Sequence, residues 1–327
     1  MTRQISRRDF LRLMAAAAGT GALGLTACGG SGSSDASGDK TYKIGVLQLT
    51  QHAALDAANE GFVEALDASG IKYTIDQQNA NNDQSACATI ASKLVGDGDD
   101  LIFAIATPAA QAMAAATSDI PIVGSAITDY AASGLVADND KPGGNLTGTS
   151  DMNPVDDQIA MLQKVLPEAK HIGMLYCTAE SNSQLQIEMA EAACDKAGLT
   201  TERFTVSSSN EIQSVVESMV GKVDAGYSPT DNTIAAAAAQ VGQIAKEGKL
   251  PFITGEENMC MGMGICTVSI DYKELGKMAG EMAVKILKGE DTPANMAIET
   301  ETGDQLQTIK NEEMAEALGI DLSVLDA

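Results

Sequence analysis

Basic and aromatic residues are scarce in this 327-residue sequence. Lys and Arg number 21 against 45 Asp and Glu, which gives a formal net charge of −24. Binding to nucleic-acid phosphates or to an anionic membrane surface needs a basic face, so this balance argues against both partners. Trp is absent and aromatic residues make up only 3%. The hydrophobic cores must therefore be built from Ala, Val, Ile, Leu and Met.

Cysteine and histidine are also too few for the sites that they usually build. Six Cys in a chain of this length do not make a disulfide scaffold. No Cys-x-x-Cys spacing occurs and the only histidines are His52 and His171, so we predict no metal site and no cofactor. A Gly-x-Ser-x-Gly elbow is missing, which argues against a hydrolase, although paired cleft acids leave an exported hydrolase as a minor alternative. Cys260 and Cys266 could form a local bridge, a question that the sequence leaves open.

The first 27 residues have the composition of an export signal. Four arginines precede an apolar stretch from Leu13 to Ala27, which is too short and too rich in Gly for a spanning helix. Within this region Ser6–Leu11 resembles a twin-arginine motif, and Leu25–Cys28 resembles a bacterial lipobox. The Gly/Ser-rich composition of residues 28–40 predicts a flexible linker. We therefore expect an exported protein that is held at the outer face of the cytoplasmic membrane by lipid on Cys28.

The rest of the chain contains the same pattern twice. From Tyr42 onward, short β-rich segments alternate with helical ones, which predicts parallel βα units. The order then repeats with a nearly constant offset, as between Ile44 and Ile172 or between Asp100 and Asp224. This repeat predicts an α/β protein of two similar Rossmann-like lobes with parallel sheets. Ligands bind at the carboxyl ends of such strands, so we expect the site in a cleft between the lobes and a hinge motion that closes it.

Polar residues at strand ends are the predicted ligand contacts of the second half. Ala179–Ser183 follows a strand and opens a helix, so its N–H groups and side chains can hold a carboxylate. Asp231 can accept from an ammonium group, although a helix N-cap would use the same residue type. The predicted contacts of this half are Glu180, Ser181, Asn182, Ser183, Thr230, Asp231, Asn232 and Glu256.

The first half offers fewer candidates. Asp129 follows the fourth strand and is the matching acid, while Thr107 precedes a helix-opening proline and can present its hydroxyl group. The predicted contacts of this half are His52, Thr107, Pro108, Thr128 and Asp129. Tyr130, Tyr176 and Tyr227 are possible stacking partners, but a tyrosine in a strand is more often part of the core. Asp271 fits a hinge or an N-cap better than a ligand contact.

Several short segments of the sequence resemble motifs of one known family. They are Gln51–Asp56, Ala106–Gln111, Ser125–Asp129, Gly148–Asp151, Leu175–Ser183, Pro229–Thr233 and Ile270–Gly276. Together they resemble the ABC substrate-binding lipoproteins whose studied members bind tryptophan, tyrosine or phenylalanine. The resemblance covers roughly residues 41–322 and is most specific in the last two segments, Pro229–Thr233 and Ile270–Gly276. It departs from the family's usual residues at Tyr130, within His52–Ala54 and within Gly255–Asn258, all near the expected cleft.

This resemblance implies a type I periplasmic-binding fold with three crossovers between the lobes. It places lobe one at residues 41–149 plus 271–292, and lobe two at residues 150–270 plus 293–327. The implied function is that of a non-enzymatic, monomeric receptor that captures an amino acid, with an aromatic one favoured, and delivers it to the subunits of an ABC permease. A branched-chain amino acid, a nucleoside or a sugar stays open as the ligand, and a ligand-sensing lipoprotein stays open as the role.

Overall fold

The computed structural model describes residues 40–326. The predicted export signal, the lipobox with Cys28 and nearly all of the Gly/Ser-rich linker lie outside the described residues. The described part is an α/β fold with two separate sheets. None of its helices is both long enough and apolar enough to cross a lipid bilayer.

The first sheet contains five parallel strands in the order β2-β1-β3-β4-β5. These strands are β1 (Thr41–Gln48), β2 (Lys72–Asn79), β3 (Leu101–Ile105), β4 (Ile122–Ile127) and β5 (Leu146–Ser150). The helices between them are α1 (Ala53–Ser69), α2 (Gln84–Asp97) and α3 (Thr107–Ala116). All five residues of β3 are buried, as expected for a parallel strand that is covered on both faces.

The second sheet has six strands in the order β11-β10-β9-β8-β6-β7, and only β11 runs antiparallel to its neighbour. These strands are β6 (His171–Cys177), β7 (Thr200–Val206), β8 (Ala225–Ser228), β9 (Phe252–Thr254), β10 (Cys266–Ser269) and β11 (Gln307–Lys310). The remaining helices are α4 (Val155–Val165), α5 (Ser181–Lys196), α6 (Ile212–Met219), α7 (Asn232–Ala235), α8 (Ala238–Gly248), α9 (Glu257–Met263), α10 (Tyr272–Leu287) and α11 (Glu312–Leu318). Strands β6–β10 repeat the spatial order of β1–β5, as the sequence repeat predicts.

The chain passes between the two sheets three times, after β5, after β10 and before β11. The second passage brings α10 back to the first sheet, where it packs closely against α1. The third passage runs beside β5, because the hydroxyl of Thr147 donates to the carbonyl of Met296 at 2.8 Å and Ser150 N–H donates to Glu299 at 2.8 Å. All three connections therefore lie together at the junction of the two lobes.

Each lobe has its own hydrophobic core. In the first lobe, Phe62 of α1 stacks on Phe103 of β3 with the ring centroids 3.8 Å apart. In the second lobe, separate apolar clusters cover the two faces of the sheet. The five cysteines among residues 40–326 are buried and unpaired, and they include Cys260 and Cys266.

Candidate ligand-binding site

A small cavity lies between the lobes, next to the carboxyl ends of strands from both sheets. Its lining from the first lobe and the crossover segments consists of His52, Leu55, Ala126, Asp151 and Tyr272. Its lining from the second lobe consists of Asn182, Thr230, Asp231, Asn232, Ala235, Glu256 and Met259. Its free volume is about 10 Å³, against about 300–1,000 Å³ for most small-molecule sites, so the lobes or the lining side chains must move apart to admit a solute. Three carboxylates and no Lys or Arg line it.

Hydrogen bonds across the cleft hold the lobes in a closed arrangement. His52 Nε2 lies 3.2 Å from Asn232 Oδ1, and Asn82 Nδ2 donates to Thr233 Oγ1 at 2.9 Å. Nearby, Gln84 Nε2 donates to the carbonyl of Ala179 at 3.0 Å. Each of these bonds joins a loop or helix of the first lobe to α7 or to the segment before α5.

Glu180 organises the start of α7 from behind the cavity. Its buried carboxylate accepts from the backbone N–H of Asn232 at 3.1 Å and from that of Thr233 at 2.9 Å. It also accepts from the side-chain amide of Asn232 at 2.6 Å and from the hydroxyl of Thr233 at 2.8 Å. A carboxylate is favoured at a helix start because the free N–H groups point toward it. Glu180 therefore orients Asn232, and Asn232 in turn meets His52 across the cleft.

Asp231 and Glu256 line the cavity and also cap short helices. Asp231 accepts from Cys177 N–H at 2.6 Å and from Ile234 N–H at 2.9 Å, so both of its oxygens are in use. Burial raises the pKa of Asp231 well above its usual range, and the charge of Glu180 raises it further. Glu256 accepts from the N–H groups of Asn258 and Met259, each at 2.6 Å, and burial raises its pKa to about 7. Both side chains are thus held in fixed positions, and burial makes the ionisation of each carboxyl group unfavourable.

Asp151 follows β5 at the first crossover and is the third acid in the lining. Its Oδ2 accepts from the hydroxyl of Tyr272 at 2.8 Å, while Oδ1 is buried without a partner. Burial raises the pKa of Asp151 to about 6 and raises the pKa of Tyr272 as well. One oxygen of this lining carboxylate therefore has no hydrogen-bond partner.

Two further cavity atoms are buried without a hydrogen-bond partner. They are Asn182 Oδ1 and His52 Nδ1. Asn182 uses its amide nitrogen to donate to the carbonyl of Thr230 at 3.0 Å, so its oxygen is left as an unpaired acceptor. Burial lowers the pKa of His52, which favours the neutral ring. Buried polar atoms are normally paired, so these atoms mark positions where a bound water or a ligand can donate a hydrogen bond.

The structure brings six of the residues predicted from the sequence to this cavity: His52, Asn182, Thr230, Asp231, Asn232 and Glu256. Glu180, Ser183 and Thr128 are buried beside it, and Thr128 Oγ1 accepts from Gln186 of the other lobe at 3.3 Å. Three predicted residues lie elsewhere. Ser181 is exposed at the start of α5, Pro108 lines a neighbouring groove, and Asp129 Oδ1 accepts from Ala132 N–H and Asn139 Nδ2. Thr107 is buried at the start of α3 with an unpartnered hydroxyl.

Sequence reasoning missed several lining residues. Asp151 and Tyr272 lie within two of the segments that resemble the family, Gly148–Asp151 and Ile270–Gly276, so this resemblance could have identified both. The apolar lining had no such signal, because Leu55, Met259, Ala126 and Ala235 have the same side chains as ordinary core residues. Of the tyrosines considered for stacking, none lines this cavity: Tyr130 donates to Thr149 and Tyr227 donates to Gln158. Among residues 40–326 no cluster of His, Cys, Asp and Glu could hold a metal ion.

Comparisons with known proteins give this cleft a context. A family model described as ABC transporter substrate binding protein matches residues 43–324. The "Tyrosine-binding protein" of Clostridioides difficile strain R20291 is 39% identical over 305 residues, which are 90% of this chain and 88% of that protein. A structure of an ABC domain in complex with L-Trp from Streptococcus pneumonia is 41% identical, with a TM-score of 0.84 and coverage of 88% of this chain and 98% of that one.

A third relative indicates which conformation is present. The ligand-free, open structure of a substrate-binding protein with adhesive properties from Clostridium difficile is 42% identical and covers 86% of this chain and 95% of that one. Its TM-score is only 0.65 against 0.84 for the L-Trp complex, although the two identities differ by one percentage point. The lobes here are therefore arranged as in the complex, in agreement with the bonds across the cleft.

These comparisons confirm the type I periplasmic-binding fold that the resemblance implied. The family match spans both lobes, and the relatives are binding proteins of transport systems rather than enzymes. The chain belongs to the ABC transporter substrate-binding protein family, which works outside the cytoplasm with an ABC permease.

Proposed function

We propose that this protein is the receptor of an importer for an aromatic L-amino acid, with tyrosine and tryptophan as the first candidates. The observation that carries the proposal is the closed arrangement of the lobes around this cavity. It resembles the arrangement in the L-Trp complex of a protein that is 41% identical to this chain. The tyrosine-binding relative, at 39% identity over nearly the whole chain, supports the same ligand class.

The lining has the three kinds of group that such a ligand needs. The cavity carboxylates can neutralise an ammonium group. A carboxylate suits the starts of α1 and α5, where His52 and Asn182 line the cavity and neither N-cap side chain, His52 or Glu180, accepts from the N–H groups of its own helix. An aromatic ring can pack against Leu55, Met259 and Tyr272. We assign ligand contact to the six predicted residues that line the cavity, and support of those contacts to Thr128, Glu180 and Ser183.

The lobes in this proposal are residues 41–149 plus 271–292, and residues 150–270 plus 293–327. Residues 296–299 run beside β5 and form part of the hinge. Binding energy goes into closing the lobes, because the closed state makes contacts with the ligand that the open state lacks. The closed monomer then presents a surface to the permease.

Export and a lipid anchor on Cys28 complete the proposal. Fractionation of cells that express the full chain tests the anchor, since Cys28→Ser should move the protein from the membrane to the soluble extracytoplasmic fraction. A membrane-bound Cys28→Ser protein would argue against lipidation.

The absence of Trp allows a direct test of the ligand. All tryptophan fluorescence in a mixture of this protein with L-Trp comes from the ligand, so a blue shift of its emission reports burial. Calorimetry with L-Tyr and L-Phe covers the other candidates, and D-Trp is the matched control. Saturable binding of an L-aromatic amino acid supports the proposal, while binding of only sugars, nucleosides or aliphatic amino acids would reject this ligand class.

A further inference from the structure

The three unpartnered atoms of the cavity share one property: each is a hydrogen-bond acceptor. Asp151 Oδ1 is a carboxylate oxygen, and Asn182 Oδ1 is an acceptor because its amide nitrogen already donates to Thr230. A donor-rich partner is therefore required at both atoms.

The third acceptor is His52 Nδ1, as the hydrogen bonds from Glu180 through Asn232 to the His52 ring indicate. Asn232 Nδ2 donates to Glu180 Oε2 at 2.6 Å, so Asn232 Oδ1 faces His52 and can only accept. His52 Nε2 must then carry the proton, which leaves a lone pair on Nδ1 in the neutral ring. The orphan Nδ1 is thus an acceptor, like the two oxygens.

The other two carboxylates of the lining differ from Asp151. Both oxygens of Asp231 and both oxygens of Glu256 are occupied by backbone N–H groups. Asp151 alone among the three keeps an oxygen without a partner. A cation that enters the cavity meets its strongest free acceptor there, and no Lys or Arg in the lining competes for it.

We infer that Asp151 Oδ1, Asn182 Oδ1 and His52 Nδ1 together form a site for one primary ammonium group. Such a group carries one positive charge and three N–H donors, which matches three acceptors of which one is a carboxylate oxygen. The amine of the ligand, rather than its carboxylate, is thus the group that the cavity requires. Sugars and nucleosides lack an ammonium group, so they would leave the negative charge of a buried carboxylate uncompensated.

This inference rests on the proposed function only in placing the ligand in this cavity, and matched ligand pairs test it on the unmodified protein. Each pair compares an amine with its deaminated analogue: L-Trp with indole-3-propionate, L-Tyr with 3-(4-hydroxyphenyl)propionate, and L-Leu with 4-methylpentanoate. We expect the amine of each pair that binds to do so at least about 100-fold more tightly. Tryptamine should bind more tightly than indole-3-propionate, and N,N-dimethyl-L-tryptophan more weakly than L-Trp.

The variant Asp151→Asn tests the same site from the protein side. It should reduce L-Trp affinity by about 100-fold and bring the affinity ratio of L-Trp to indole-3-propionate toward one. The matched control Asp224→Asn removes the same charge from an exposed acid that binds Lys170 and His171 N–H groups, and should change neither affinity. A purely structural role for Asp151 would weaken both ligands equally and leave the ratio intact.

The outcomes separate the inference from the proposed function. If only the leucine pair binds and the amine is preferred, the inference stands and the aromatic ligand is rejected. If an aromatic pair binds with equal affinity for both members, the aromatic receptor stands and the ammonium site is rejected. If no primary amine binds while a sugar or a nucleoside does, both are rejected.

Discussion

Glu180 binds Thr233 twice, through the backbone N–H at 2.9 Å and through the hydroxyl at 2.8 Å. The same hydroxyl oxygen accepts from Asn82 Nδ2, which belongs to the opposite lobe, at 2.9 Å. A buried acid of the second lobe is thereby connected through one threonine to a loop across the cleft. The closed arrangement depends on this connection because α7, which carries Thr233, has only four residues.

Replacing Glu180 with Gln should destabilise the protein. The new amide group would place N–H donors against the N–H groups of Asn232 or Thr233, and a buried charged acceptor would be lost. We expect the free energy of unfolding to fall by about 2–3 kcal/mol. Urea denaturation measures this loss, and Glu188→Gln on the exposed face of the same helix is the control. Equal stabilities of the two variants would show that Glu180 does not hold α7.

The bond from Asn82 to Thr233 should stabilise the closed state without touching the ligand. Asn82→Gly removes the donor at a position where φ is +61°, which glycine adopts without strain. Losing one neutral hydrogen bond should weaken ligand binding by about 3- to 10-fold, mainly through faster dissociation. Stopped-flow release of L-Trp measures the rate.

Asn81→Gly is the matched control for this change. Asn81 has a φ of +50° and is exposed, so the backbone effect of glycine is the same while the bond across the cleft stays. A dissociation rate that rises equally in both variants would assign the effect to loop flexibility rather than to the bond.

The fold could largely be predicted from the sequence because its repeat is local. Apolar runs such as Leu101–Ile105 and the glycines that end helices, such as Gly70, recur at a nearly constant offset in both halves. The crossovers were harder to place from the residues alone. Their pairing, as of Thr149 with Glu299, joins residues that are distant in sequence and carry no periodic signal.

The site could be predicted only in part. Acids at strand ends were recognised as candidates, and Asp231 and Glu256 do line the cavity. Sequence could not show that both serve as N-caps with their oxygens occupied, nor that Asp129 binds its own loop instead. Those differences depend on hydrogen-bond geometry, which residue type and spacing do not determine.

The ligand-free protein should lose stability as the pH rises from about 6.5 to 8.5. Burial raises the pKa of Glu256 to about 7 and raises that of Asp231 too, whereas both are ionised in the unfolded chain above pH 5. The folded state therefore holds more protons, and its stability is lost as the pH passes the folded pKa values. Glu256 alone should contribute a loss of about 1 kcal/mol over this window.

The window begins at pH 6.5 because His52 acts in the opposite direction below it. Burial lowers the pKa of His52, so the unfolded chain takes up that proton in acid and folding is disfavoured there. Urea denaturation at pH 6.5, 7.5 and 8.5 measures the slope, and Glu256→Gln should reduce it. A bound ammonium ligand should reduce it as well, since it pairs with the buried negative charge. A stability that rises with pH in the ligand-free protein would contradict the assignment.

The packing of α1 against α10 should tolerate no side chain at Gly276. A Cβ atom there would lie 1.9 Å from the carbonyl oxygen of Ala58, so the two helices would have to separate. We expect Gly276→Ala to reduce the free energy of unfolding by about 3 kcal/mol. Ligand affinity should fall too, because Tyr272 begins the displaced helix and lines the cavity.

Gly96 in α2 provides the matched control for this substitution. No heavy atom lies within 4 Å of a Cβ built there, so Gly96→Ala should gain about 0.5–1 kcal/mol from lower chain entropy in the unfolded state. The same substitution should thus lower the free energy of unfolding at one helical glycine and raise it at the other. Urea denaturation measures this free energy in each variant, and a ligand titration measures the affinity. If Gly276→Ala kept both stability and affinity, the close approach of α1 and α10 would not be what positions Tyr272.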